Sequence, residues 1–371
     1  MDPVTHTLVG GSLAATRLGK TTRMASAALV IGANLPDIDA LSFANGSDAA
    51  LAFRRGWTHG VPALLILPAL LAASLWWWGQ QRGDEGAGAS LSPRWLLALC
   101  YMGVLTHPAL DWLNTYGVRW WMPFDGTWYY GDSVFIVDPW LWLLLGTGWL
   151  IGRRPTWRLA LLVMAPGSLL LFRVARNAAA FVPVVAVLLL SLLAVLLWKP
   201  RHPAVTERAA SIGLAVAAGL IMAMIMAHAA TLARVRVALG SHGFQPLDEL
   251  MVGPMPANPF AWDVVFVADD RVRSGRFDWL GGGLALSDFD KPHAPASDLW
   301  SPILAAGGPA GFLGWARFPW IEAQGSETGG GENGVIEIRL MDARYTRVRT
   351  TGFGGASISL RGVSLTPPAS A

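Results

Sequence analysis

The sequence predicts an all-α polytopic membrane bundle of about seven or eight hydrophobic helices, followed by a β-rich soluble C-terminal domain. Three observations lead to this fold class: the composition, the long apolar runs of residues 1–239, and the alternating pattern after them. Of the 371 residues, 53% are hydrophobic and only 14% are charged, whereas soluble domains carry about 25% charged residues. The 19 tryptophans are typical of a protein that meets membrane interfaces.

The same composition excludes other classes of protein. The single cysteine, Cys100, rules out a disulfide framework and a cysteine-rich zinc module. The net charge is only +3, which is too small to indicate a nucleic-acid partner.

The charge pattern predicts two domains, a transmembrane helical domain at 1–239 and a soluble extracytoplasmic domain at 240–371. Residues 1–239 hold 18 Lys and Arg against 11 Asp and Glu, while residues 240–371 hold 10 against 14. The second part has roughly 130 residues, which is an ordinary size for one domain.

Spans are placed by length, because roughly 20 apolar residues cross the hydrocarbon core. Five clear segments are Gly60–Trp78, Arg94–Leu113, Val134–Gly152, Ala178–Trp198 and Ala209–Ala230. Trp157–Phe172 is shorter, and Val4–Thr16 with Met24–Phe43 is predicted to form a helical hairpin. No basic stretch precedes the first segment and no small-residue cleavage site follows it, so a removed signal peptide is not expected.

Lysine and arginine in the loops predict the orientation. The loops 17–23, 79–94, 153–158 and 199–208 hold 11 of these residues, and the opposite loops hold seven. The richer side is placed in the cytoplasm of a bacterial-type cell. The C-terminal domain is then expected on the periplasmic side of the inner membrane.

Ionisable residues gather at the ends of the predicted spans on that outer face. Such groups are costly near a membrane and commonly functional. They are His6, Asp37, Asp39, His59, His107, Asp111, Asp132 and Asp138. Because the predicted spans run alternately up and down, all eight residues are expected at one level of the bundle.

These residue types favour a divalent metal site. His107 and Asp111 are four residues apart and share one helical face, and imidazole and carboxylate groups are ligands for Zn²⁺, with Mn²⁺ or Mg²⁺ as alternatives. The predicted metal ligands are His6, Asp37, Asp39, His59, His107, Asp111 and Asp138. Three histidines and several aspartates suffice for two metals with a bridging water as nucleophile. Asp37 and Asp132 are further predicted to act in catalysis, and Arg54 and Arg55 to bind phosphate.

Each residue also has a structural interpretation. Asp37, Asp39, Asp132 and Asp138 can cap the helices that follow them. Arg54 and Arg55 can anchor the chain at the interface, and a histidine at a helix end can simply be solvated.

An ordered set of motifs within 1–150 resembles a known family. The pieces are Thr5-His6, Pro36-Asp37-Ile38-Asp39, Arg55-Gly56-Trp57-Thr58-His59, Thr106-His107-Pro108-Ala109-Leu110-Asp111, Thr115-Tyr116-Gly117, Pro123-Phe124, Asp132 and Asp138-Pro139. Together they resemble the membrane-bound metal-dependent hydrolases of the YdjM/YfhP type, which are distantly similar to zinc-dependent phospholipase C and the P1-type nucleases. The resemblance implies phosphoester hydrolysis at a multinuclear zinc site on a helical scaffold. It departs from the family pattern His-Arg-Gly-x-Thr-His-Ser at Arg54 and Gly60, which puts the metal count in question.

The C-terminal part is predicted to be β-rich. Asp263–Ala268, Val335–Leu340 and Ser357–Leu360 alternate as strands do. The glycine runs 281–283, 329–331 and 354–355 mark turns, and Asp269-Asp270 is predicted to form a hairpin turn. Trp279, Trp300, Trp315 and Trp320 are expected either in a core or at an apolar rim.

The sequence as a whole predicts a membrane-bound metal-dependent hydrolase that cleaves a phosphoester in a membrane lipid or lipid-linked substrate. Two alternatives remain. An ion- or proton-coupled transporter would place its ionisable groups near mid-membrane. A non-catalytic assembly protein would hold a structural metal in a closed set of four ligands.

Overall fold

A computed structural model describes residues 1–82, 89–150, 203–245, 247–325, 335–347 and 354–361. The chain forms two compact units, described separately here. The first unit comprises Met1–Asp39, Arg55–Ala230 and Gly253–Pro259. The second comprises Ala40–Arg54, Thr231–Val252 and Phe260–Ala371. These bounds differ from a single division at residue 239, because the segments 40–54 and 253–259 each join the other unit.

The described helices, numbered in chain order, are as follows. They are α1 (Pro3–Ala15), α2 (Ala25–Gly32), α3 (Ser47–Phe53), α4 (Val61–Gln81), α5 (Pro93–Trp112), α6 (Pro139–Leu150), α7 (Pro203–Ser241), α8 (Trp300–Ala305) and α9 (Ala310–Trp315). Short 3₁₀ helices cover Arg17–Lys20, Leu35–Asn45 and Ala294–Ala296.

The prediction of seven or eight hydrophobic spanning helices is wrong. Among the described residues, two helices are long and apolar enough to cross a membrane, Val61–Gln81 and Val205–Ser241. A third span exists only if Ala25–Gly32 and Leu35–Asn45, which are bent by 42° at their junction, count as one. The predicted spans Trp157–Phe172 and Ala178–Trp198 lie outside the described residues.

The physical reason is that several apolar runs are broken into short helices. The Asp2 carboxylate accepts hydrogen bonds from the Val4 and Thr5 amides at 2.9 and 3.1 Å, so α1 starts there and ends after 13 residues. Helix α2 is shorter still, with 8 residues. Helices of these lengths rise at most about 20 Å, less than the hydrocarbon thickness of roughly 30 Å.

The core of the first unit lies where α1, α2, α4 and α5 meet. Its buried members are Ala14, Ala25, Ala28, Leu29, Ala72, Leu75, Leu96, Leu99 and Cys100. Small residues let the helices approach closely: a Cβ placed on Gly32 would lie 3.3 Å from the Gly103 Cα. This crossing brings the C-terminal end of α2 against α5, where the candidate site lies.

The described part of the C-terminal region contains two antiparallel sheets. One has the order β1 (Glu249–Met255), β2 (Asn258–Ala268), β3 (Arg271–Asp278) and β4 (Gly283–Pro292), and the other the order β5 (Pro319–Gly325), β6 (Val335–Asp342) and β7 (Gly355–Arg361). All three predicted strand segments lie within these strands. Asp269 and Asp270 have φ of 51° and 58° between β2 and β3, so the predicted hairpin turn is confirmed.

The second unit has an aromatic and aliphatic core. It contains Met251, Val265, Val267, Val272, Phe318, Trp320, Met341 and Ala343. Trp315 is buried as well, whereas Trp279 is 42% exposed. Helix α3 packs on α9, and the Asp48 carboxylate accepts hydrogen bonds from the Gly311 and Phe312 amides at 3.2 and 2.8 Å.

Candidate metal centre

The candidate site lies in the first unit, where helix ends and two loops meet. His6 comes from the first turn of α1, and Asp37 from the 3₁₀ helix after α2. His59 lies in the turn before α4, while His107 and Asp111 lie in the last turns of α5. The structure therefore brings together residues that are up to 105 positions apart in the chain.

Four of these residues form a compact group with the donors that a metal ion requires. One ligand atom each from Asp37, His59, His107 and Asp111 can be chosen so that all four atoms lie within 4.8 Å of one another. The Asp111 Oδ2 atom is 3.2 Å from His59 Nε2 and 3.5 Å from His107 Nε2. The Asp37 Oδ1 atom is 3.6 Å from His107 Nε2. All are buried except Asp37, whose side chain is 15% exposed, so the group has an accessible edge at Asp37.

The hydrogen bond made by His107 sets its tautomer. Its Nδ1 atom lies 2.7 Å from the Ala33 carbonyl oxygen. Because a carbonyl only accepts, Nδ1 carries the proton and Nε2 of the neutral ring carries a lone pair. That Nε2 atom is buried and has no hydrogen-bond partner. A buried lone pair that points at two carboxylates is unfavourable unless a cation lies between them.

A relay of hydrogen bonds sets the tautomer of His59. Thr58 Oγ1 donates to Asp39 Oδ2 at 3.1 Å, so its lone pairs are available to His59 Nδ1, which lies at 2.9 Å. His59 Nδ1 therefore donates to Thr58, and Nε2 faces Asp111 as an acceptor. A ligating histidine commonly has its second nitrogen held in this way. Asp39 thus orients the His59 ring through Thr58. The role of Asp39 as a direct metal ligand stays a prediction.

His6 completes the cluster of rings. It stacks on His107 with 3.7 Å between ring centroids, and its Nε2 atom lies 3.3 Å from Asp111 Oδ1. Its Nδ1 atom is buried without a hydrogen-bond partner. His6 is adjacent to the four-residue group and outside it, so its role as a ligand also stays a prediction.

Arg55 is built into the site rather than exposed beside it. Its Nη2 donates to Asp111 Oδ1 at 2.9 Å, and its Nη1 donates to Asn114 Oδ1 at 3.0 Å. The backbone amide donates to Asp39 Oδ2 at 2.8 Å, and the guanidinium lies 4.4 Å from the Tyr116 ring centroid. These contacts fix Asp111, and the predicted phosphate-binding role of Arg55 is not tested by them.

The other predicted residues lie elsewhere. Asp138 caps α6, and burial raises the pKa of its carboxyl group to about 6. Asp132 is buried at a positive φ of 45°. Arg54 belongs to the second unit, where its guanidinium lies 5.2 Å from the Phe43 ring centroid. Among the described residues none of the three belongs to the four-residue group.

Sequence reasoning gave no role to Thr58, Asn114 or the Ala33 carbonyl. Thr58 and Ala33 hold the histidines His59 and His107 of the four-residue group, and Asn114 accepts from Arg55 and from the Tyr116 amide, the latter at 2.8 Å. The only available signal was position, because Thr58 precedes His59 and Asn114 follows Asp111 by one helical turn.

The residues present fit a divalent cation. Two neutral imidazoles that present Nε2 and two carboxylates are a donor set that Zn²⁺ accepts, and Mn²⁺ accepts it as well. The supporting contacts from Ala33, Thr58 and Arg55 keep the donors in place before any ion binds.

The fold and the site define a helical membrane protein with a candidate divalent-metal centre at its helix ends. The model of the YdjM inner membrane protein family matches residues 1–200, which is more than half of the 371 residues. The chain belongs to this family, as its motifs predicted.

One relative in the comparison is YfhP of Bacillus subtilis (strain 168), which is described as an uncharacterized protein. The two are 26% identical over 151 residues, which cover 38% of this chain and 43% of YfhP. The match thus spans less than half of that relative. No solved structure matches the chain. These matches do not bear on the distant similarity to phospholipase C and the P1-type nucleases, which stays a prediction.

Proposed function

We propose that this protein is a metal-dependent hydrolase that cleaves a phosphoester in a membrane lipid or lipid-linked substrate. The observation that carries the proposal is the four-residue group Asp37, His59, His107 and Asp111, whose donor atoms lie within 4.8 Å of one another. Two of its imidazoles are held in the tautomer that presents Nε2 to the centre.

Each residue has a distinct part in this proposal. His59, His107 and Asp111 would hold the ion from the buried side, and Asp37 would hold it at the accessible edge. When bound, a divalent ion polarises a phosphoryl oxygen and lowers the pKa of water toward neutrality. Asp37 is positioned to accept a proton there, since it is the only partly exposed carboxylate of the group. Arg55 orients Asp111 through its hydrogen bond.

The surroundings of the accessible edge support a lipid substrate. Ile38 and Trp57 flank Asp37 and His59 in the chain, and their side chains are 51% and 50% exposed. Exposed apolar and indole side chains beside a polar centre are typical of the membrane interface. A head group would then meet the site without leaving the bilayer surface. We further propose that this face is periplasmic, from the lysine and arginine distribution.

The first experiment measures metal content by mass spectrometry on the detergent-purified full chain. Wild type is expected to hold near-stoichiometric zinc or manganese, and His107→Ala is expected to lose it. His242→Ala is the matched control, because His242 is exposed in the second unit. Metal-loaded protein is then tested for release of p-nitrophenol from bis-p-nitrophenyl phosphate and of diacylglycerol or phosphatidic acid from phosphatidylglycerol. Absence of metal in wild type after reconstitution at neutral pH would refute the hydrolase proposal and favour a transporter.

A structural metal in an assembly protein is the second candidate, because four donors suffice for a closed tetrahedral sphere. Loading the protein with cobalt distinguishes a catalytic metal from a structural one. An open position is expected to give a visible spectrum that changes when inorganic phosphate is added. A spectrum that phosphate leaves unchanged, together with no hydrolysis, would favour the structural role.

A further inference from the structure

An apolar cavity of about 230 Å³ lies in the first unit between α1, α5, α6 and α7. Aliphatic side chains form most of its wall, among them Val9, Leu110, Leu141, Leu145, Leu214 and Ile221. A dry apolar cavity of roughly 150 Å³ already binds a benzene-sized molecule in other proteins. The volume therefore suits a hydrocarbon ligand.

The cavity runs beside the candidate metal centre. Three lining residues directly precede residues of the centre: Thr5 precedes His6, Thr106 precedes His107, and Leu110 precedes Asp111. Successive residues of a helix point about 100° apart. One face of α1 and α5 thus presents the centre while the adjoining face lines the cavity at the same level.

The polar groups of the wall offer nothing to a polar ligand. Thr5 Oγ1 donates to Asp2 at 2.5 Å and accepts from Trp142 Nε1 at 2.9 Å. Thr106 Oγ1 donates to the Gly103 carbonyl at 2.7 Å. Because both hydroxyl groups have partners within the protein, an apolar occupant is favoured over water or a polar molecule.

One wall of the cavity belongs to a helix that is long and apolar enough to cross a membrane. Its lining residues 214–221 belong to the span Val205–Ser241. Ala109 and Ala218 form part of the wall and are exposed. Helices α6 and α7 cross closely, since a Cβ placed on Gly213 would lie 3.2 Å from the Gly148 Cα. Ala109 and Ala218 therefore mark an exposed side of the cavity wall.

We infer that this cavity binds one hydrocarbon chain of a membrane lipid and thereby places the lipid head group at the centre formed by Asp37, His59, His107 and Asp111. This inference deepens the proposed function and rests on it for the role of the head group. The chain-binding subsite itself depends only on the cavity and its exposed side at Ala109 and Ala218.

The test uses the detergent-purified full chain and a palmitoyl lysophosphatidic acid that carries a photoactivatable diazirine at the end of its chain. Labelled peptides are mapped by mass spectrometry as the probe concentration rises. Saturable labelling is expected within residues 214–221. Ala218→Phe is expected to reduce it about tenfold, since the ring fills space that roughly two methylene groups would occupy.

Ala215→Phe is the matched control, because Ala215 is exposed on the same helix and is absent from the cavity wall. Ala109→Phe narrows the opening from α5 and is expected to act like Ala218→Phe, which guards against a folding defect in either variant. Labelling that does not saturate, or that falls equally in Ala215→Phe, would overturn the inference.

Asp111→Asn separates this inference from the proposed function. The variant is expected to lose metal and hydrolysis while it keeps saturable labelling. Saturable, Ala218-dependent labelling without hydrolysis in wild type would refute the hydrolase alone. Hydrolysis of bis-p-nitrophenyl phosphate without such labelling would refute the chain subsite alone.

Discussion

Replacing Arg55 with methionine tests whether a bound divalent ion can supply the positive charge that Arg55 provides beside Asp111. The guanidinium donates to Asp111 at 2.9 Å and to Asn114 at 3.0 Å, and both residues are buried. Methionine keeps much of the length of the side chain and removes its charge. The substitution therefore leaves less positive charge beside the Asp111 carboxylate in the metal-free protein.

The expected loss of stability follows from the burial of the Arg55–Asp111 ion pair. Removing one partner of a buried ion pair costs roughly 3–5 kcal/mol. The lower end is expected here, because the amino group of Met1 also contacts the Asp111 carboxylate. At about 2–4 °C per kcal/mol for a domain of this size, the melting temperature of metal-free Arg55→Met should fall by roughly 10 °C.

The assay is thermal unfolding followed by tryptophan fluorescence in detergent, with chelator and with added zinc. A divalent ion at Asp111 supplies the positive charge that the variant lacks, so zinc should stabilise Arg55→Met more than wild type. Arg347→Met is the matched control. Arg347 Nη1 donates to Asp263 at 2.9 Å in the second unit, where zinc should have no such effect.

Two results would refute this reasoning. Arg55→Met that melts at the wild-type temperature without metal would show that the pair contributes nothing to stability. Equal zinc-induced shifts in wild type and Arg55→Met would show that the ion does not bind beside Asp111.

Three further predictions concern other parts of the molecule. Thr58→Val should weaken metal binding by about 10- to 100-fold by removing the group that orients His59; competition with a chelator dye measures this, and unchanged affinity would exclude the orienting role. Gly311→Ala should speed thermolysin cleavage, because a Cβ there would lie 1.9 Å from a backbone carbonyl oxygen, while Gly314→Ala meets nothing within 4 Å and should behave as wild type; equal rates would contradict the packing. Burial lowers the pKa of His293, so its contribution to stability is present above pH about 6.5 and is lost as the pH falls through its folded pKa. Between about pH 7.5 and about pH 5, the melting temperature of wild type should therefore fall more than that of His293→Gln. Equal decreases in the two proteins would contradict this contribution of His293 to stability.

The sequence by itself located the candidate site well. Positions of ionisable residues at the ends of apolar runs are local information, and they identified Asp37, His59, His107 and Asp111. The alternation of residues in the C-terminal part likewise indicated the strands, because side chains on a strand point to opposite faces whatever the strand pairs with. The ordered motifs identified the family because they, too, are short patterns of residues along the chain.

Tertiary structure decided the rest. Apolar runs do not show where a helix breaks, so the sequence overestimated the number of spanning helices, and the hydrogen bonds by which Asp2 caps α1 appear only in three dimensions. The backbone carbonyl of Ala33 has no sequence signature, although it sets the tautomer of His107. The predicted phosphate-binding role of Arg55 stays a prediction, and only the packing showed that its guanidinium donates to Asp111 and Asn114. Contacts over such separations depend on how the helices cross, and a pattern along the chain does not contain that geometry.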